Sequence, residues 1–218
     1  HNYFATDFHV KMFFDNLLHD YPTENPWYEE DYAERYDSGK IVRTGWPMEY
    51  MEDTLTLYKG MTKRDLIVFP HRIAPEKQVE IFRDLKNHLP QYEFVVCQDE
   101  QLTKKQYHTL LGQAKMVFSA NLQETLGISC FEALCVNAFP LVPNRLSYTE
   151  MYPSVFKYDS RWTQSFDSYL QFKDRLVEHI RTIMTEMDGA LHFEKIIQTR
   201  ELIHHNFFSA TNLLENIK

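Results

Sequence analysis

No apolar stretch in the chain approaches the ~18–20 residues needed to span a bilayer as a helix, so the sequence carries no membrane span of that kind, and no signal-peptide pattern opens it. Clustered cations are also missing. The longest basic run is Lys104-Lys105, which reads as a solvated helix face, and the formal net charge is −8. A surface dedicated to nucleic acid needs grouped positive charge to displace counterions from phosphates, and this sequence argues against one. Cysteine is scarce: Cys97, Cys130 and Cys135 are the three present, with no CxxC spacing. An odd count of apolar-flanked thiols suits a reducing setting, hence a cytoplasmic or nuclear location. Cys130 and Cys135 do not share a helical face, and the adjacent His204 and His205 would diverge on a helix, so no zinc-ligand pattern exists. No DxD-like acidic signal appears either. No metal and no cofactor are expected. Internal repeats and low-complexity segments are absent as well.

What is present is a core-forming composition: 44% apolar and 15% aromatic residues over 218 positions, enough for one large domain, or for one domain with part of another. The chain starts at His1 rather than Met and reads as a piece of something longer. Residues 8–18 carry apolar positions at helical spacing (Phe8, Met12, Phe13, Leu17). Residues 21–38 are acidic and aromatic, interrupted by Pro22 and Pro26, and read as an irregular connection. A short strand is expected over 40–43, ending at Gly45-Trp46-Pro47. Residues 48–63 are mixed and polar, and read as a linker.

From residue 65 the pattern becomes regular. Strands are expected at 65–69, 92–97, 116–120 and 139–142, with a possible fifth at 156–159. Helices are expected at 75–89, 103–113 and 128–136, then at 163–186, 191–205 and 210–217. Pro75 falls near a helix start, where proline is tolerated, and Val79, Phe82, Leu85 and Leu89 lie on one face. Strand and helix alternate four times. That predicts an α/β, Rossmann-like, doubly wound parallel sheet with helices on both faces. Ligands of such sheets bind beyond the carboxyl ends of the strands, so the loops after Phe69, Cys97, Ala120 and Val142 should surround one cleft.

Two features of those loops point to chemistry. The first is Glu124-Thr-Leu-Gly-Ile-Ser-Cys-Phe-Glu132: two acids eight apart, with a glycine where a helix should open. The N–H groups of a first helical turn lack internal partners and the helix dipole favours negative charge there, so such a corner can hold an anion. Carboxylates on either side can take the hydroxyls of a ligand whose phosphates sit on the corner, which describes a nucleotide-sugar. The second is the loop Pro70-His71-Arg72-Ile73-Ala74-Pro75-Glu76-Lys77. Arg72 and Lys77 oppose the dipole of the helix that follows, a penalty that a bound diphosphate would reverse. Separately, each has a bland reading: solvated loop charges, an exposed helix acid at Glu132, capping by Thr125 or Ser129. Their order along one sheet edge is what carries the inference.

The stretch 65–153 resembles the donor-binding, carboxyl-terminal domain of retaining glycosyltransferases with the GT-B fold. The resemblance implies two facing Rossmann-like domains, with Arg72 and Lys77 neutralising a donor diphosphate, Glu124 contacting the transferred sugar and Glu132 the ribose hydroxyls. It further implies that backbone N–H groups of Leu126, Gly127 and Ile128 hold the phosphates, with His71 beside them. Phe69-Pro70-His71-Arg72 and Pro143-Asn144-Arg145-Leu146-Ser147-Tyr148-Thr149-Glu150 resemble, more narrowly, the tRNA-queuosine mannosyltransferase group. There are departures. Gln78 follows Lys77 where that family usually has glycine, Thr125-Leu126 replaces a bulkier aromatic pair, and Cys97-Gln98-Asp99 lacks the glycine expected after the second strand.

By this resemblance, residues 1–47 are the end of an amino-terminal acceptor domain, 48–63 a linker, 64–205 the donor domain and 206–218 a helix returning to the first domain. The implied reaction is retaining, metal-independent hexosyl transfer from a UDP-glucose or GDP-mannose type of donor. Its acceptor would be a modified nucleoside in tRNA or DNA, reached through the missing amino-terminal domain. Two other readings stay open: a donor-binding fragment or subunit inactive alone, and a sugar-phosphate epimerase of the same fold.

Overall fold

The computed structural model describes residues 2–20, 41–187 and 190–216. These form two compact units: residues 1–49 with 204–218, and residues 50–203. The irregular connection expected over 21–38 lies outside the described residues.

In the smaller unit, strands β1 (Asn2–Phe4) and β2 (Ile41–Arg43) pair in parallel. Helix α1 (Asp7–Asp20) packs on them, closing Val10 against Ile41 with Phe4 and Phe13 alongside. The segment after β2 joins the chain's end: the N–H groups of Trp46 and Met48 donate to the carbonyls of Phe207 and Phe208, at 2.7 and 2.8 Å. Gly45 is required there. Its φ is +70°, and a Cβ would lie 2.5 Å from the Phe207 carbonyl oxygen.

The larger unit opens with α2 (Tyr50–Leu55), inside the stretch expected to be a linker. Met51 and Leu55 are buried. Their spacing of four makes a one-turn apolar stripe, too short to stand out among polar neighbours but enough to dock the helix. The sheet follows: β3 (Arg64–Phe69), β4 (Glu93–Val96), β5 (Ala114–Phe118), β6 (Phe139–Pro143) and β7 (Lys157–Tyr158). Every pairing is parallel, in the order β4-β3-β5-β6-β7. The doubly wound α/β expectation is met, and the fifth strand is present.

Between the strands run α3 (Val79–His88), α4 (Lys104–Gln113), α5 (Ile128–Cys135) and the single turn α6 (Tyr148–Met151), followed by α7 (Phe166–Glu186) and α8 (Ala190–Ile203). The chain leaves β3 toward β4 on one side, then returns past β3 to β5 on the other. Right-handed crossovers therefore place α3 on one face and α4 and α5 on the opposite face. Packing agrees with that division: α3 contacts α7, and α5 contacts α8. A π-helical turn (His204–Phe208) and α9 (Thr211–Asn216) complete the chain.

Of the boundaries that differ from those expected, three have an identifiable cause, tertiary in the first two and a local cap in the third. The helix expected over 75–89 is a 3-10 turn (Pro75–Lys77) and then α3, broken by Gln78 in a left-handed conformation. The third strand ends at Phe118, because the carbonyls of Ala120 and Asn121 turn away to accept hydrogen bonds from Gln78 and Arg145. The helix expected from 163 starts at Phe166, where the Ser165 hydroxyl accepts from Ser168 N–H at 3.1 Å.

The central strands are buried on both faces, as parallel sheets require. Phe82 of α3, fully buried, packs its ring against Phe69, Phe94 and Phe118. Phe82→Ala is expected to cost about 3–5 kcal/mol by loss of transfer energy plus cavity. Urea unfolding checks this; a change under ~1 kcal/mol would mean the site collapses without strain.

Candidate functional site

Neighbouring strands β3 and β5 send their following helices to opposite faces of the sheet. A crevice opens at that switch point, beyond the strands' carboxyl ends, where ligands of this architecture bind. The β3–α3 connection brings Lys77 there and the β5–α5 connection brings Glu124. Their side chains meet with Lys77 Nζ 3.1 Å from Glu124 Oε2, both largely buried at 11% and 17% exposure.

Each charge has further partners. Lys77 Nζ also donates to the carbonyl of Gln123 at 2.6 Å. The Glu124 carboxylate accepts from the Asn121 amide at 2.8 Å and from the N–H groups of Thr125 (3.0 Å) and Gly127 (3.2 Å). Burial alone would push this carboxyl up; the Lys77 charge and hydrogen bond and the Thr125 N–H outweigh it and hold Glu124 below the ordinary carboxylate range. The site thus holds an ionised acid against a buried cation.

Gly127 sits at the corner that the sequence marked. It caps α5 at φ +60°, and a Cβ would lie 2.5 Å from a ring carbon of the fully buried Tyr148. Only glycine allows both the turn and this approach. The Gly127 N–H does not point at an open anion site, however. It donates to Glu124, so an acid of the chain itself occupies part of the helix corner. The dipole penalty expected for Lys77 is likewise offset within the protein, by Glu124.

His71 lies beside the pair. It is buried, stands edge-on to Phe69 at 5.1 Å between ring centroids, and has Nδ1 3.4 Å from the Ser129 hydroxyl. Its Nε2 has no hydrogen-bond partner among the described residues. Burial, reinforced by the Lys77 charge and opposed by Glu124, lowers its pKa to about 4, so the ring is neutral at pH 7.

A cavity of about 500 Å³ opens next to this cluster, lined by Arg72, His71, Gln98, Tyr107, Ile128 and Glu132 among others. Four of the residues singled out in the sequence share this space. Lys77, Glu124, Leu126 and Gly127 are not on its wall. His71, on the wall, feels the charges of both Glu124 and Lys77. Arg72 is exposed and pairs with Glu76, four residues on. Glu132 projects from the second turn of α5 and accepts from the Tyr107 hydroxyl at 2.7 Å, with His108 Nε2 3.9 Å from its other oxygen. Burial lifts the Glu132 carboxyl above the usual range, against the Tyr107 hydrogen bond and the Lys104 charge.

Asn121 and Tyr107 were not picked out in the sequence, and Gln78 and Arg145 were given no role there. Tyr107 had a legible signal, as a polar-tipped aromatic in a helix bordering the predicted cleft. Arg145 was noted only as part of a resemblance; it donates to the carbonyls of Asn121 (2.8 Å) and Ala120 (2.9 Å) and so anchors the loop that carries Glu124.

Comparison by sequence finds no matching family model and no matching curated protein. Solved structures do match. A glycosyltransferase from Rickettsia africae ESF-5 superposes with a TM-score of 0.61 at 15% identity, over 99% of this chain and 61% of that one. TarM gives 0.51 at 13% identity, over 88% of this chain and 41% of that one. The chain has the fold of these proteins, and it spans about three-fifths of the length of the first.

The state of His71 has a consequence for stability. Its folded pKa lies below that of an unfolded chain, near 6.5. Above pH 6.5 both states are neutral and the group contributes nothing. As pH falls from 6.5 to 4 the unfolded chain gains a proton that the folded one refuses, and stability drops by on the order of 3 kcal/mol. His71→Leu is expected to lose correspondingly less than the wild type across that window, by urea unfolding at pH 7 and pH 4. Equal losses would contradict a buried neutral ring.

Proposed function

We propose that the larger unit binds a nucleotide-diphosphate sugar at the carboxyl edge of its sheet, and that the chain is the donor-binding part of a glycosyltransferase. The observation that carries this reading is the Lys77–Glu124 pair, buried at the switch point beside the amino-terminal end of α5. A donor diphosphate offers Lys77 a stronger anionic partner than a single carboxylate, through charge-assisted contacts. Glu124, kept ionised, then presents acceptor oxygens to the hydroxyls of the sugar. Glu132 faces the adjoining cavity, where the ribose would lie with its hydroxyls donating to that carboxyl group. The exposed Arg72 at the mouth is free to swing from Glu76 to the phosphates.

In the transfer step the bond from the sugar carbon to the diphosphate breaks and negative charge grows on the leaving group. Lys77, Arg72 and the α5 amino terminus would stabilise it in place. We propose retention of configuration on the likeness of residues 65–153 to the donor domain of retaining GT-B glycosyltransferases. We further propose the smaller unit as the end of an acceptor domain, with a modified nucleoside of tRNA or DNA as acceptor. Support for the acceptor is the likeness of 69–72 and 143–150 alone. The share of the Rickettsia protein that the chain spans favours a donor-binding portion that needs the remainder of the enzyme for turnover.

Titrating the chain with UDP-glucose and GDP-mannose by calorimetry tests the reading. One donor is expected to bind, and Lys77→Ala to weaken it roughly 10- to 100-fold, the worth of a hydrogen bond to a charged group. Binding unaffected by Lys77→Ala would remove the proposed diphosphate site. In the complete enzyme the same substitution is expected to lower turnover ~10²–10³-fold.

A further inference from the structure

The residue after Lys77 adopts a backbone conformation that side-chain-bearing residues rarely take. Gln78 has φ 53° and ψ 48°, and it is 2% exposed. Its side-chain amide donates to two carbonyls, those of Ala120 at 2.6 Å and Thr163 at 2.8 Å. The same two carbonyls accept from Arg145 Nη2, at 2.9 and 3.0 Å. Each carbonyl oxygen has two lone pairs, so both donors can be satisfied. Arg145 Nε reaches one residue further, to the Asn121 carbonyl at 2.8 Å. Three segments are thereby fixed to common points: the turn bearing Lys77, the loop bearing Glu124, and the turn at Ser160–Thr163.

A residue that only filled space would need neither the left-handed backbone nor an amide. The left-handed φ aims the Gln78 side chain across the crevice while its own N–H closes the 3-10 turn onto the Pro75 carbonyl at 3.2 Å. Lys77 is the residue inside that turn, and the far anchor is the loop of its ionic partner. We propose that Gln78 is a positioning residue: it clamps the Lys77 turn to the Glu124 loop and so sets where the cation stands in the donor site. The inference rests on the donor-binding reading for its consequence, but its geometric content can be tested without a ligand.

Gln78→Gly keeps the left-handed backbone and deletes only the clamp. Its fold is checked by circular dichroism. The ligand-free measurement follows the Glu124 carboxyl by ¹³C NMR. Loosening Lys77 is expected to move the Glu124 midpoint upward in Gln78→Gly, and Gln78→Asn, with a shorter amide, to fall between. An unchanged midpoint in a folded variant overturns the clamp. The second measurement is a double-mutant cycle with Lys77→Ala, using UDP and GDP as probes. In the wild-type background Gln78→Gly is expected to weaken binding roughly tenfold; in the Lys77→Ala background it is expected to add almost nothing, because neighbours acting through one group are non-additive. Equal losses in both backgrounds would show a merely structural residue and overturn the proposal. If neither nucleotide binds the wild type while the midpoint shift is present, the donor-binding reading fails and the clamp stands.

Discussion

The site is built around one buried ion pair. Taking an ammonium and a carboxylate out of water costs several kcal/mol per ion, and their attraction offsets this only when the remaining donors and acceptors are also met. Here they are met unequally. Glu124 has three donors besides Lys77, whereas Lys77 has one carbonyl besides Glu124. The acid is therefore held in place by the loop and the helix corner, and the cation is held chiefly by the acid. Such an arrangement leaves a cation in a largely buried position, where an anion interacts with it far more strongly than at the surface.

The topology explains why these two residues meet at all, 47 positions apart in sequence. Reversal of the strand order at β3 splits the following helices between the two faces and leaves the loops after β3 and β5 side by side. The rigid, doubly buried sheet beneath them is packed with large aromatics, so the loops start from fixed points. From there the Arg145 guanidinium, the Gln78 amide and the close contact of Gly127 with Tyr148 hold the loops themselves.

Much of this was legible from residue order. The β3 to β6 strands are short apolar runs between helical patterns, and that alternation alone implies the parallel sheet and its functional edge. Lys77, Glu124 and Gly127 stand out in the sequence because each is a conspicuous type at a strand-to-helix corner, and Glu132 stands out by its spacing from Glu124. What could not be read was partnership. The Gly127 N–H was expected to await a phosphate and instead serves Glu124, since a nearby carboxylate takes any free helix-corner donor. Gln78 breaks a helix that Pro75 and the Val79–Phe82–Leu85 face make continuous, because distant carbonyls outweigh local propensity. Met51 and Leu55 dock a helix in a stretch too polar to announce one. The roles of Arg72 and His71 depend on which way they point, and spacing does not encode that.

The fold is shared with a Rickettsia africae glycosyltransferase and with TarM, at 15% and 13% identity, and the proposed donor binding rests on the local chemistry of the crevice. A structure of the chain with GDP-mannose or UDP-glucose bound is the most direct test. The account predicts the diphosphate within hydrogen-bond distance of Lys77 Nζ, the sugar hydroxyls on Glu124 and the ribose against Glu132. A donor found elsewhere on the chain, with the Lys77–Glu124 pair intact and uncontacted, would contradict it.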